Sequence, residues 1–153
     1  MRARMAAELR AQSIWETKHV RGGLVDIEFI AQYLQLLHAH RFPSVLSPNT
    51  REALAALRAA GVLAAEVADE LIDSLELWQT VQHRLRRNSV DVRGAVDGDD
   101  APKPLRLAVA GIAGLDFEGL VRKMHSVAEG VRAHFRRIVE EPAEAARARL
   151  AQQ

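Results

Sequence analysis

The chain contains no cysteine, which excludes a disulfide framework and thiolate metal ligation. Aromatic residues make up only 5 % of it, and the short alternating Val/Ile/Thr-rich runs that mark strands are missing. No window approaches the roughly 20 apolar residues of a membrane span. The opening stretch MRARMAAELRAQSIWETK is charged throughout and lacks the apolar core of a signal peptide. An excess of one charge is lacking too. Lys and Arg number 21 against 20 Asp and Glu, a formal net charge of +1, so no global field gathers nucleic acid or an anionic membrane. The expectation is a cytoplasmic protein with no nucleic-acid and no membrane partner.

What is present points to helices. The 153 residues are 48 % hydrophobic, enough for one core. Ala, Leu and Arg, all strong helix formers, are abundant. The expected fold is all-α, a bundle of five or six helices forming a single domain over residues 1–153. A lead-in helix is expected within residues 1–20, from about Arg2 to Thr17; it lacks an N-cap, as a segment cut from a longer chain would. A second helix runs from about Leu24 to His40. Ile27, Ile30, Leu34 and Leu37 form one stripe, and Phe29, Tyr33 and Leu36 widen it, so this helix should sit centrally. Pro43 and Pro48 end it. The next runs from Pro48 to Ala60, with Ser47 as expected N-cap and Gly61 as C-cap. A long helix from Ala64 to Arg87 places Val67, Leu71, Leu75, Trp78 and Leu85 on one face. Residues 88–104 lose periodicity and read as a mobile loop. Leu105–Ile112 reads as a short helix stopped by Gly114. Asp116 caps the last long helix, whose core stripe is Leu120, Met124, Val127, Val131 and Ile138, up to Pro142.

The stretch that departs from ordinary helical sequence is KHVRGGLVDIEF, Lys18–Phe29. Asp26 and Glu28 are two residues apart. On a strand such a pair shares a face and suits two-metal chemistry. On a helix the two point about 200° apart, and the residues that follow are strongly helical. Asp26 then reads as a first-turn acid favoured by the helix dipole, and Glu28 as a partner for Arg21 or Lys18. Gly22-Gly23 ahead of a helix is an anion-binding geometry in principle, with Lys18 and Arg21 supplying charge. It is not a Walker loop, because the Lys-Ser/Thr and its spacing are absent. The six histidines include no H-x3-H pair, and Asp97, Asp99 and Asp100 lack the spacing of a calcium loop. No metal site is expected. His83–Arg87, HRLRR, reads as a solvated basic helix end.

The segment RGGLVDIEFIAQYLQL, Arg21–Leu36, resembles the signature that follows the nucleotidyltransferase fold in the glutamine synthetase adenylyltransferase family. Its G-G-x-x-D-I-E-F-x-x-Q-Y core is specific. HRFPSVLSPNTREALAALRAAGVL, ADELIDSLELWQTVQHRLR, AVAGIAGLDFEGLVRKM and VRAHFRRIVEEP extend the resemblance over most of the chain. It implies a large two-headed enzyme in which each nucleotidyltransferase head precedes a helical domain. One head removes AMP from glutamine synthetase; the other adds it from ATP with Mg²⁺, and PII signalling protein and glutamine set the direction. This chain is similar to the helical domain behind the C-terminal, adenylylating head. The family's Gly-Ser turn and strand-borne Asp-x-Asp pair do not precede Lys18. The resemblance therefore implies an accessory domain, inactive by itself, with no catalytic residue and no bound cofactor; it marks the turn as important without assigning its residues a role, and Lys18, Arg21, Gly22, Gly23, Asp26 and Glu28 are the candidates for the cleft edge. The alternative is a free-standing helical adaptor that binds another protein.

Overall fold

The computed structural model describes residues 13–93, 95 and 100–153. Its α-helices are α1 (Leu24–His38), α2 (Thr50–Ala59), α3 (Ala65–Arg87), α4 (Lys103–Ala108), α5 (Phe117–Phe135) and α6 (Glu141–Ala151). There are 3₁₀ turns at Pro43–Val45 and Ile112–Gly114, and a π-helical segment spans Arg136–Glu140. No strand occurs among the described residues, so the fold is all-α. No described helix is long and apolar enough to cross a membrane.

α1 packs against α2, α3 and α5, which makes it the central helix its apolar width predicts. Ile27 and Ile30 are fully buried, and Ala31 and Leu34 nearly so. Its last turns differ: Leu36 and Leu37 are exposed. Gln35, also buried, donates from Nε2 to the carbonyls of Val45 (2.7 Å) and Ser47 (3.0 Å). That side chain ties the irregular α1–α2 connection to α1 and satisfies carbonyls that would otherwise be buried without donors.

α2 begins two residues later than the sequence implies. Asn49, not Ser47, is the N-cap: its Oδ1 accepts from the Glu52 amide at 3.0 Å. Ser47 Oγ instead accepts from the Asn49 amide and donates to the Glu52 carboxylate. Asn at the cap with Glu three residues on satisfies the first-turn donors better than Ser47 could from farther out. Gly61 closes α2 in the left-handed conformation. α3 buries Ala68, Leu71, Leu75, Trp78, Val81 and Leu85, whereas Val67 is only partly covered. Arg84 in its last turn donates to the carbonyls of Ala108 and Ala110, binding α3 to the end of α4.

Three expectations are corrected. The lead-in helix falls partly outside the described residues; from Ser13 to Gly23 the chain runs through turns, because the carbonyls of Ser13, Glu16 and Val20 accept from amides three or four residues on while those of Thr17 and Lys18 accept from the first amides of α1, so no continuous helical ladder forms. The Leu105–Ile112 helix ends at Ala108, and a left-handed Gly111 leads into the 3₁₀ turn. Pro142 does not stop the helical run, which continues through a π segment into α6. One turn earlier the ladder widens to π, with the Glu141 amide bonded to the Arg136 carbonyl. The extra residue moves the Ile138 carbonyl away from the Pro142 ring, which would clash with it in a regular helix. Asp116 does cap α5, accepting from the Gly119 amide at 2.7 Å. Within α5, Leu120, Met124 and Val131 are buried as expected, while Ala128 and Phe135 take the place of Val127 and Ile138. Residues 88–93, 95 and 100–102 are non-helical; residues 94 and 96–99, and so Asp97 and Asp99, lie outside the described residues.

Leu75 is 1 % and Leu36 84 % exposed. Leu75→Ala should lower unfolding free energy by about 2–5 kcal/mol, and Leu36→Ala should change it by about 0.5 kcal/mol or less, both measured by urea denaturation.

Candidate functional site

The turn that carries the signature is built from backbone hydrogen bonds. The amides of His19 and Val20 both donate to the Glu16 carbonyl, and the Gly23 amide donates to the Val20 carbonyl at 2.8 Å. The amides of Leu24 and Val25, the first residues of α1, donate to the carbonyls of Thr17 (2.9 Å) and Lys18 (3.0 Å). A helix N-terminus ordinarily leaves its first amides unpaired within the helix; here the preceding turn folds over them. The Gly22 amide is also taken, by the Asp26 carboxylate, whose Oδ2 accepts at 2.6 Å. The amides of Gly22, Gly23, Leu24 and Val25 are therefore occupied internally, and the glycine pair does not offer an anion cradle.

The two glycines are required for different reasons. Gly22 has φ +85° and lies against the backbone of α5, where an added Cβ would overlap the Ala128 carbonyl oxygen. Gly23 has an extended φ of −90° as N-cap of α1, and an added Cβ there would overlap the Thr17 carbonyl oxygen. The left-handed position is thus Gly22, and Gly23 is needed for space alone.

The six sequence candidates separate into two groups. Gly22, Gly23 and Asp26 are buried. Asp26 sits in the first turn of α1 at 2 % exposure, and its charge-assisted bond to Gly22 holds the turn. Lys18 and Arg21 are exposed, and Glu28 is half-buried. Arg21 lies 3.9 Å from Glu140 of the π segment rather than on Glu28. Lys18 instead borders a cleft with Arg86 of α3. The two cations flank the turn on different neighbours.

A second polar cluster was invisible in the sequence because its members are 64 residues apart. His134 of α5, 8 % exposed, meets Glu70 of α3 through Nε2 at 2.6 Å and Arg137 of the π segment through Nδ1 at 2.7 Å. Arg137 can only donate, so Nδ1 accepts and the ring proton on Nε2 points to Glu70. The π segment therefore has a polar tie at each end, Arg137 to His134 and Glu140 to Arg21. No group of His, Asp and Glu suited to a metal ion occurs among the described residues.

The chain matches the family model described as GlnD PII-uridylyltransferase over residues 1–139. It belongs to that family. Its relatives include proteins named bifunctional glutamine synthetase adenylyltransferase/adenylyl-removing enzyme. The one from Rhodopseudomonas palustris is 37 % identical over 140 residues, 91 % of this chain and 14 % of the relative. Those from Xanthobacter autotrophicus and Caulobacter vibrioides are each 35 % identical, over 94 % and 92 % of this chain, and again 14 % of their own length is covered. The chain thus spans about one-seventh of the length of these relatives. No solved structure matches it.

The turn's geometry sets an order of sensitivities in this family member. Gly22→Ala should destabilise the chain more than the roughly 1–2 kcal/mol of left-handed strain, because a backbone overlap adds to it. Asp26→Ala should cost about 1–3 kcal/mol by leaving the buried Gly22 amide without an acceptor. Asp26→Asn, which still offers an oxygen, should cost less, and Arg21→Ala about 1 kcal/mol or less. Thermal and urea melts of the four variants check this order.

Proposed function

We propose that this chain acts as the accessory helical domain of a glutamine synthetase adenylyltransferase, placed behind the adenylylating nucleotidyltransferase head and not catalytic by itself. The observation that carries the reading is the G-G-x-x-D-I-E-F turn of Gly22–Phe29, within a segment 37 % identical to a relative of that name. Two further observations support it. The helical fold contains no strand among its described residues on which an Asp-x-Asp pair could sit, and the comparable segment is 14 % of the relatives' length.

In this reading the buried Gly22, Gly23 and Asp26 hold the turn, and the exposed Lys18 and Arg21 stand at the edge of the head's nucleotide cleft, with Glu28 beside them. ATP and Mg²⁺ belong to the head, which supplies the phosphoryl chemistry when they are bound there. A flexible cation adds electrostatic attraction for phosphate oxygens at such an edge. Glutamine synthetase is the acceptor of AMP, PII signalling protein is the regulatory partner, and the setting is cytoplasmic nitrogen regulation.

The test incubates the chain with labelled ATP, Mg²⁺ and glutamine synthetase, alone and joined to an adenylyltransferase head. The expected result is no label transfer by the chain alone and transfer by the joined protein, reduced several-fold by Arg21→Ala at unchanged folded fraction. Transfer by the chain alone overturns the non-catalytic reading. A joined protein that labels PII from UTP, and not glutamine synthetase from ATP, assigns the domain to uridylylation, as the family description suggests.

A further inference from the structure

The turn of residues 15–19, the C-terminal end of α3 and the non-helical segment after it line an open cleft of about 200 Å³. Its floor is apolar: Trp15, Leu85, Val90 and Val92 line it. Its rim carries two cations from distant parts of the chain, Lys18 and Arg86, both exposed. Glu16, the acid on the rim, accepts from the Ser13 amide at 2.8 Å. Asp91, between two of the floor residues, is bound by Arg93, whose side-chain hydrogen bond holds its carboxyl down at about 2. Among the described residues, Glu16 and Asp91 each have a donor of their own, and Lys18 and Arg86 are the cations that border the cleft.

The walls are fixed. Trp15 stacks on Phe117 of α5 with centroids 5.5 Å apart, and Ser13 Oγ donates to the Val92 carbonyl at 3.2 Å, joining the two sides. Trp15 Nε1 is buried and has no hydrogen-bond partner among the described residues.

We propose that this cleft binds a small organic anion: an apolar body on Trp15, Leu85, Val90 and Val92, and a phosphate monoester or carboxylate between Lys18 and Arg86. The volume lies below the roughly 300–1,000 Å³ of pockets for drug-sized ligands, which suits one ring or a short alkyl chain. An apolar pocket with few, convergent polar groups is the ordinary form of a small-molecule site, and Arg in particular favours the planar, two-oxygen contact of such anions. The site lies within this chain and needs no head, so its test does not depend on the adenylylation reading; it shares Lys18 with the cleft edge of that reading, and Arg86 belongs to this site alone.

The experiment is a ¹H–¹⁵N titration of the chain with phenyl phosphate and with benzoate, and with inorganic phosphate and benzyl alcohol as controls for charge alone and apolar body alone. The chain has two tryptophans, so its two indole signals separate the cleft from the core. The expected result is that phenyl phosphate, benzoate or both shift the Trp15 indole and the Val90 and Val92 amides and leave the Trp78 indole in place. Binding should be at least tenfold tighter than for either control. It should weaken at least tenfold in Arg86→Gln and in Lys18→Gln, and fall with rising salt in the wild type. Preference for the phosphate or the carboxylate probe then distinguishes the two anion classes. Absence of shifts at 10 mM probe, controls that bind equally well, or binding indifferent to both substitutions overturns the proposal. Should either variant fail to fold, the salt dependence and the other variant decide it.

Discussion

The contact on which the architecture depends is the close approach of the Gly22 backbone to the Ala128 carbonyl of α5, held by the bond from the Gly22 amide to Asp26. Without a side chain at residue 22 the turn can lie directly on α5. With the buried carboxylate of Asp26 reaching back four residues, the turn cannot swing away without breaking a charge-assisted bond to a buried amide, which costs more than a missing surface contact. α1 enters the bundle at an angle fixed by this turn, and α2, α3 and α5 pack against α1. The aromatic stack of Trp15 on Phe117 secures the same turn from its other end.

This role changes the meaning of the signature. A glycine pair ahead of a helix, preceded by Lys and Arg, suggests a phosphate grip, yet the amides that would do the gripping are bonded to Thr17, Lys18, Val20 and Asp26. The anion-facing capacity of the region rests in side chains. Arg21 turns toward the π segment and Lys18 toward the end of α3, so a single turn presents cations to two neighbouring surfaces. The π segment is itself a consequence of Pro142, and its Arg137 reaches the buried His134, so the far end of α5 is connected to the signature turn through ion pairs and hydrogen bonds.

Much of the helical organisation was legible in sequence. The cap at Asp116 and the stop at Gly61 are local signals, and both are realised; the apolar spacing of α1, α3 and α5 is realised for most of its members, with Leu37, Val67, Val127 and Ile138 left only partly covered or exposed. The misplaced features are those in which two local signals compete. Ser47-Pro48 and Asn49 both look like helix starts, and the choice fell to Asn49 because Glu52 lies three residues beyond it. Leu105–Ile112 is apolar enough for a helix, but Gly111 ends the ladder early. Of the candidate site, the sequence singled out all six turn residues, yet it could not tell the buried holders, Gly22, Gly23 and Asp26, from the exposed Lys18 and Arg21.

By itself, then, the sequence determined the helical class, most of the helix faces and the place of the Gly22–Phe29 turn, because these depend on residues a few positions apart. Tertiary structure alone decided which glycine is left-handed, which partner Arg21 takes, and that Lys18 meets Arg86 across a cleft floored by Trp15, Leu85, Val90 and Val92. Those outcomes hang on contacts between segments up to about a hundred residues apart, such as Gly22 on Ala128, and no local pattern encodes which surface a distant helix will present.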